Sequence, residues 1–332
     1  MAHSLLVTRT DSGIDAALTD EVVLGPGEVL IDVSHSSLNY KDGMALRGDR
    51  GVMRVDPLVP GIDAVGTVVS SEDPRFAPGD LVTTNGGGLG EFRHGGYSTQ
   101  QRVPAEATVH VPAAFHAWQA AAVGTAGFTA ALSVVALREQ GVSGGEVLVT
   151  GATGGVGSLA VHLLATLGYH VVAATGRADE HGAWLRDLGA GELLDRAELA
   201  EPGRPLQKAR WAGVVDCVGS HTLVNACAQT EWGGTVTACG LAQGADLPAT
   251  VLPFILRGVK LVGINSVDAP REFRERAWGL LADTLDVDVL AGLSSTVPLA
   301  DVVTAGEELM SGRRRGRTVV EISPESPTRR TA

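Results

Sequence analysis

A run of small residues, Gly151-Ala152-Thr153-Gly154-Gly155-Val156-Gly157, is spaced to hold a pyrophosphate. Glycine has no Cβ to block a close approach to the backbone. The start of a helix supplies free N–H groups and a partial positive charge. The spacing is G-x-x-G-x-x-G rather than the standard G-x-G-x-x-G, so the run is informative only with a strand before it and a helix after it. A plain Gly-rich strand-to-helix turn is the competing reading. The end of the following strand carries a second signal, Thr175-Gly176-Arg177. An NAD site usually places Asp or Glu there for the ribose 2′-hydroxyl. Here the acid is missing and a cation is present, and a guanidinium can grip a 2′-phosphate bidentately. The pattern predicts NADPH over NADH, unless Arg177 is simply a solvated side chain.

These residues need particular elements to position them. Glu146-Val147-Leu148-Val149-Thr150 reads as a short buried strand ahead of the loop. Residues 157–167 read as a helix with apolar residues at 160, 161, 163, 164 and 167, closed by Gly168 at the C-cap. Strands follow at 171–174, 214–218, 235–239 and 260–264, and residues 271–285 read as an amphipathic helix. Strands alternating with helices imply a parallel, doubly wound sheet. The first 120 residues read differently. Strand candidates at 27–33, 66–69 and 80–83 are broken by Pro60-Gly61, Pro78-Gly79 and the glycines at 86–90, giving an irregular β-rich domain. Residues 117–137 are Ala-rich and suit one or two helices. A strand at 318–322 ends the folded chain, and 323–332 reads as a disordered tail.

Composition narrows the function classes. The 332 residues are 44% hydrophobic and 19% charged, as in a soluble globular chain. Twenty-six Lys and Arg against 38 Asp and Glu give a net charge of −12, which argues against a nucleic-acid partner or an anionic membrane surface. Three cysteines (Cys217, Cys227, Cys239) suit a reducing cytoplasm and offer no disulfide framework. No signal peptide and no uninterrupted apolar span of membrane length are expected.

Several segments together carry a resemblance: SSLNYKD (36–42), PGID (60–63), SEDPRF (71–76), GTAGFTA (124–130), the phosphate loop, ACGL (238–241), LPFILRGV (252–259) and GRT (316–318). From about residue 5 to 322 the chain resembles the medium-chain dehydrogenase/reductase superfamily. Within it the chain looks like the zinc-free quinone oxidoreductase group, and most like the acrylyl-CoA reductase branch. The resemblance implies a GroES-like catalytic domain (1–122, resumed at 268–322) and a Rossmann domain (123–267). It implies NADPH-dependent reduction of an activated C=C bond, with an enoyl thioester as substrate. It also implies a homodimer paired along the strand matching residues 259–264. Zinc members of the superfamily carry a Cys near residues 39–42 and a Gly-His-Glu near 61–63. Here no Cys precedes residue 217 and Ile62-Asp63 replace the His-Glu pair, so no metal is expected.

Hydride transfer to the β-carbon of an enoyl compound leaves an enolate, which needs donors at its oxygen and a proton at the α-carbon. Asn39, Tyr40 and Lys41 are candidates. In the family the Tyr matching Tyr40 lies beside the nicotinamide, so the resemblance implies Tyr40 as cofactor contact and proton donor, with Asn39 as a polarising donor. Water could instead deliver the proton. Lys41 and Asp42 are equally readable as a local ion pair, and Asp63 as a structural turn residue. The resemblance further implies cofactor contacts at Thr153, Gly154, Gly155, Val156, Thr175, Gly176, Arg177 and Arg196 (equally a solvated loop residue), and at Leu241, Ile255, Ser266 and Arg317. Arg47, Arg50, Arg54, Arg93, His94 and Arg313–Arg315 could face CoA phosphates or merely solvent. An NADPH:quinone or enone reductase is the alternative of the same class. A cofactor-binding protein without turnover is the alternative of another class.

Overall fold

A computed structural model of the chain describes residues 3–323, so the expected tail lies outside the described residues except for Ser323. Two units emerge. Unit one takes the chain up to Thr125, then Ser266–Glu275, then the chain from Leu290. Unit two is Ala126–Asn265 with Arg276–Val289. The sequence reading returned residues 268–322 to the first domain, whereas residues 276–289 group with unit two. The reason is packing within that unit: Ala277, Trp278 and Leu281 are buried, Arg276 pairs with Glu139, and the Asp286 N–H donates to His162 Nε2 (3.3 Å).

Unit one begins with strands β1 (Ser4–Thr10), β2 (Gly13–Thr19), β3 (Val29–Ser37), β4 (Asp63–Ser71), β5 (Leu81–Asn85), β6 (Gln100–Val103) and β7 (Thr108–His110). Strands β1 and β2 pair antiparallel. Strand β3 alternates as expected, with Val29, Ile31 and Val33 buried. It runs on through Ser34–Ser37, beyond the expected end at residue 33. Those serines stay in the strand because their hydroxyls are satisfied: Ser36 Oγ donates to the Asp63 carbonyl at 2.6 Å.

Unit two carries β8 (Glu146–Val149), β9 (His170–Thr175), β10 (Glu192–Asp195), β11 (Trp211–Asp216), β12 (Thr230–Ala238) and β13 (Lys260–Gly263). All pair parallel, in the order β10-β9-β8-β11-β12-β13. That is the 3-2-1-4-5-6 order of a doubly wound dinucleotide fold, with its switch point between β8 and β11. The chain then returns to unit one with β14 (Ser294–Pro298) and β15 (Arg317–Glu321). The larger sheet of unit one has the order β14-β15-β3-β4-β5-β7, with β6 also paired to β3.

Three helices bear on the sites: α1 (Tyr40–Leu46), α2 (Ala117–Glu139) and α3 (Gly155–Thr166). Helix α3 buries Leu159, Ala160, Val161, Leu163 and Leu164, and Gly168 beyond its end adopts φ +86°. Among the described residues α2 is the one helix long and apolar enough to cross a membrane, but 83% of its most apolar window is buried within the protein, as in a core helix. It is broken at Gly124 (φ 47°, ψ −161°), a conformation that only glycine adopts readily.

Candidate functional site

In unit two, β8 hands the chain to α3 through the glycine run. Gly151 takes φ +61°. A Cβ on Gly157 would lie 2.4 Å from the Gly151 carbonyl oxygen, so glycine is required for α3 to start this close to the strand. Gly154 caps the helix in extended conformation (φ −80°, ψ 173°), placing Gly155, Val156 and Gly157 in the first turn, where N–H groups lack intrahelical partners. The loop is therefore a small-residue cradle at a helix N-terminus, and it fits a pyrophosphate.

The end of β9 assembles around the same loop. Arg177 Nη2 donates to the Thr153 hydroxyl at 2.7 Å, and the Arg177 N–H donates to Thr175 Oγ1 at 3.1 Å. Arg196 lies against Gly176: a Cβ there would sit 2.5 Å from Arg196 Nε. The Arg196 N–H donates to the Thr175 carbonyl at 3.2 Å, because β10 pairs with β9 and ends beside it. Two guanidinium-bearing residues thus flank an exposed glycine, and the segment Thr175-Gly176-Arg177 that ends β9 carries no acid. Thr153, Gly154, Gly155, Val156, Thr175, Gly176, Arg177 and Arg196 are all brought to one end of the parallel sheet.

Leu241 lines an open depression of about 420 Å³ with Ala238, Cys239, Gly240, Gly263, Ile264 and Asn265, beyond the C-terminal ends of β12 and β13. Ile255 stands 67% exposed on the short helix Leu252–Arg257. Ser266 belongs to unit one, where its carbonyl accepts from Arg274 Nη2 at 3.4 Å.

Unit one holds a buried polar cluster that the sequence reading did not assemble. Asp63 is fully buried and accepts from Asn39 Nδ2 (2.8 Å), Asn85 Nδ2 (2.7 Å), the Thr125 hydroxyl (2.6 Å), the Thr125 N–H (2.9 Å) and the Ser37 hydroxyl. The break at Gly124 serves this cluster. A Cβ at 124 would stand 2.7 Å from both Arg317 Nη2 and Ser37 Oγ, and 2.8 Å from Asp63 Oδ2. Asp42 is also fully buried. It accepts from the Asn39 N–H (2.8 Å) and the Ile62 N–H (2.8 Å), so it ties the start of α1 to the chain entering β4. Burial, and then the neighbouring Asp63 charge, push Asp42 up to about 7. Burial also raises the Tyr97 phenol, whose hydroxyl donates to the Ser37 carbonyl at 3.2 Å.

Lys41 does not pair with Asp42: its Nζ reaches Glu91 Oε1 at 2.9 Å, since Asp42 points inward from the first turn of α1. Asn39 is only 9% exposed. Its Nδ2, with two hydrogens, has Asp63 Oδ2, Asp42 Oδ2 (3.1 Å) and Ser37 Oγ (3.1 Å) within hydrogen-bond reach. Arg317, expected as a cofactor contact, is 3% exposed. Its Nη1 donates to Asn39 Oδ1 (3.1 Å) and its Nε to the Ala122 carbonyl (2.8 Å), so it orients Asn39. Tyr40, by contrast, is 58% exposed at the first position of α1. Arg47, Arg50 and Arg54 are exposed. Arg93 Nη1 bonds the Pro26 carbonyl, His94 Nδ1 accepts from the Val59 N–H, and Arg314 pairs with Glu308.

Taken together, a mixed β-domain and a 3-2-1-4-5-6 nucleotide domain define an oxidoreductase of the alcohol dehydrogenase type. The alcohol dehydrogenase GroES-like domain model matches residues 25–113 and the zinc-binding dehydrogenase model residues 155–283. The chain is 46% identical, over 97% of its length and all of the relative's, to the probable acrylyl-CoA reductase AcuI of Escherichia coli. It is 44% identical, over 89% of its length and 90% of the relative's, to the putative quinone oxidoreductase YhfP of Bacillus subtilis. The crystal structure of YhfP with NAD bound superposes with TM-score 0.92 at 40% identity, covering 96% of this chain and 99% of that one. The yhdH oxidoreductase of Salmonella enterica in complex with NADP gives TM-score 0.93 at 43% identity, covering 97% of this chain and all of that one. The chain belongs to the medium-chain dehydrogenase/reductase family.

The zinc in that family model's description does not fit these residues. Around Asp63 the side chains are Asn, Ser, Thr, Asp and Arg, the carboxylate is saturated with donors, and no Cys or His contributes. Elsewhere the structure groups Glu146, His170 and Glu192, a set that sequence spacing did not reveal because β8, β9 and β10 bring their first residues together. Arg210 already bridges the two carboxylates at 2.7 Å each, which makes this an ion-pair network.

Proposed function

We propose that this chain reduces a 2-enoyl thioester, acrylyl-CoA to propionyl-CoA, with NADPH as hydride donor. The observation that carries the cofactor half is the pair Arg177 and Arg196 about exposed Gly176, beside a phosphate cradle that lacks a ribose-binding acid. The near full-length likeness to an acrylyl-CoA reductase supports the substrate half. When bound, the dinucleotide supplies a hydride from its nicotinamide.

The chain's residues do the rest. The α3 N-terminus and Thr153 hold the diphosphate, and Thr175, Gly176, Arg177 and Arg196 hold the 2′-phosphate end. Leu241 and Ile255 are apolar surfaces for the nicotinamide half, with Ser266 assigned to the same half. Tyr40 is the proton donor for the α-carbon once the β-carbon has accepted hydride. Asn39 and Arg317 hold the start of α1, and with it Tyr40, in place through Asp42 and Asp63. The exposed arginines 47, 50 and 54 are the groups we assign to the CoA phosphates. No metal takes part.

A second reading, an NADPH:quinone reductase, is favoured by the likeness to the Bacillus protein. Initial rates with acrylyl-CoA and with a simple benzoquinone decide between them: a higher kcat/KM for the thioester supports the first, the reverse supports the second. We assign the protein to the cytoplasm as a homodimer. The open edge of β13, with Val251, Ile255 and Leu256 exposed nearby in sequence, supports the dimer.

A further inference from the structure

We propose that Cys217 and Cys239 are a redox-active dithiol that closes to an intramolecular disulfide at the C-terminal edge of the nucleotide sheet. Their Sγ atoms lie 3.7 Å apart. They occupy the same row of adjacent parallel strands: Asp216 of β11 pairs with Ala238 of β12, and each cysteine is the next residue. Neighbouring strands run about 4.8 Å apart, which falls within the Cα separation of about 4.4–6.8 Å that a disulfide spans. Closure therefore needs side-chain rotation toward an S–S distance of about 2.05 Å and no rearrangement of the sheet. Both residues are half-buried, and Cys239 lines the open depression that also includes Leu241. The third cysteine, Cys227, is 1% exposed in the apolar core and serves as an internal control.

The chemistry balances with a low-molecular-weight disulfide as oxidant. The Cys217 thiol is held well above the usual range by its hydrogen bond with Cys239 and by burial. Cys239, which lines the open depression, gives up its proton to solvent and attacks the oxidant, forming a mixed disulfide and releasing one thiol. Cys217 then loses its proton and displaces the second thiol, so the protein gives up two protons and two electrons and the oxidant becomes two thiols.

The position couples this pair to the site. A Cβ on Gly151, the first residue of the phosphate run, would stand 3.4 Å from Cys217 Cβ, and the Cys217 N–H donates to Thr150 Oγ1 at 3.0 Å. The pair sits beside the switch point between β8 and β11, where doubly wound sheets bind their ligands. On the cofactor reading above, bound NADPH covers the pair, and closure weakens NADPH binding.

The test treats the full chain with oxidised glutathione, with and without saturating NADPH, followed by thiol titration, intact mass and peptide mapping. We expect free thiols to fall from three to one per chain, a mapped Cys217–Cys239 link, return to three with dithiothreitol, and slower closure with NADPH. Cys217→Ser and Cys239→Ser should each abolish the intramolecular link, with mixed glutathione adduct confined to the remaining partner. Three titratable thiols after treatment, or a link through Cys227, overturns the proposal. Closure at an unchanged rate, with NADPH binding demonstrated by calorimetry, overturns the coupling. A disulfide that forms in a chain that binds no NADPH upholds the dithiol and overturns the cofactor reading instead.

Discussion

Replacing Asp42 by Asn should reshape the pH dependence of stability. Asp42 is moved from its ordinary 3.8 up to about 7 by burial and by Asp63. Between those values the native state keeps the proton while the unfolded chain releases it. Stability from this group is therefore fully present below pH 4 and is lost as pH rises to 7, at about 1.4 kcal/mol per pH unit. Over the three-unit window that amounts to about 4 kcal/mol. Asn carries no proton to lose, so the variant lacks this slope. It also offers one acceptor where the Asn39 and Ile62 N–H groups need two, a loss of about 1–3 kcal/mol at every pH. The variant should thus be less stable than the parent near pH 4 and more stable near pH 8, with crossing curves. Urea unfolding at half-unit pH intervals reads this directly. Two parallel curves would show that Asp42 is ionised in the native protein across the range, and the electrostatic account of the cluster would fail.

Further outcomes follow from the same geometry. Arg177→Ala removes a charge-assisted contact of about 1.5–3 kcal/mol, so NADPH affinity should fall roughly 10- to 150-fold while NADH affinity holds, as read by fluorescence titration of both. An unchanged preference would assign the selectivity to Arg196 alone or to neither. Gly124→Ala places a side chain at φ 47° and against Arg317, Ser37 and Asp63, and should lower unfolding free energy by at least about 1–3 kcal/mol, measured by the denaturant midpoint. Tyr40→Phe keeps the ring and removes the hydroxyl. Turnover of acrylyl-CoA should drop with NADPH affinity retained, and normal turnover would give the proton-donor role to water.

The nucleotide unit was legible because its signals are local. The glycine run, the strand before it, the helix capped near Gly168 and the missing acid at 175–177 all lie within about 30 residues, and periodicity alone placed β8, β9, β11 and β13 to within a few positions. The polar cluster was not legible, because its parts come from residues 37–42, 63, 85, 124–125 and 317. The Arg317–Asn39 bond joins residues 278 apart in sequence. Nothing in the order of residues says that Asp63 collects donors from three other segments, around 37–39, 85 and 125, or that Lys41 turns to Glu91. One signal was available in principle: Asp42, three residues after Asn39, marks a helix N-terminus, and α1 starts there. The near contact of Cys217 with Cys239 also needed the strand register, since β11 and β12 are separated by a helix.

The central claim is hydride delivery from NADPH to an enoyl thioester, and the most direct measurement is of the products when purified protein is mixed with NADPH and acrylyl-CoA. The account predicts NADPH oxidation and propionyl-CoA formed one for one. Propionyl-CoA absent at any enzyme concentration, with NADPH unconsumed, would contradict it.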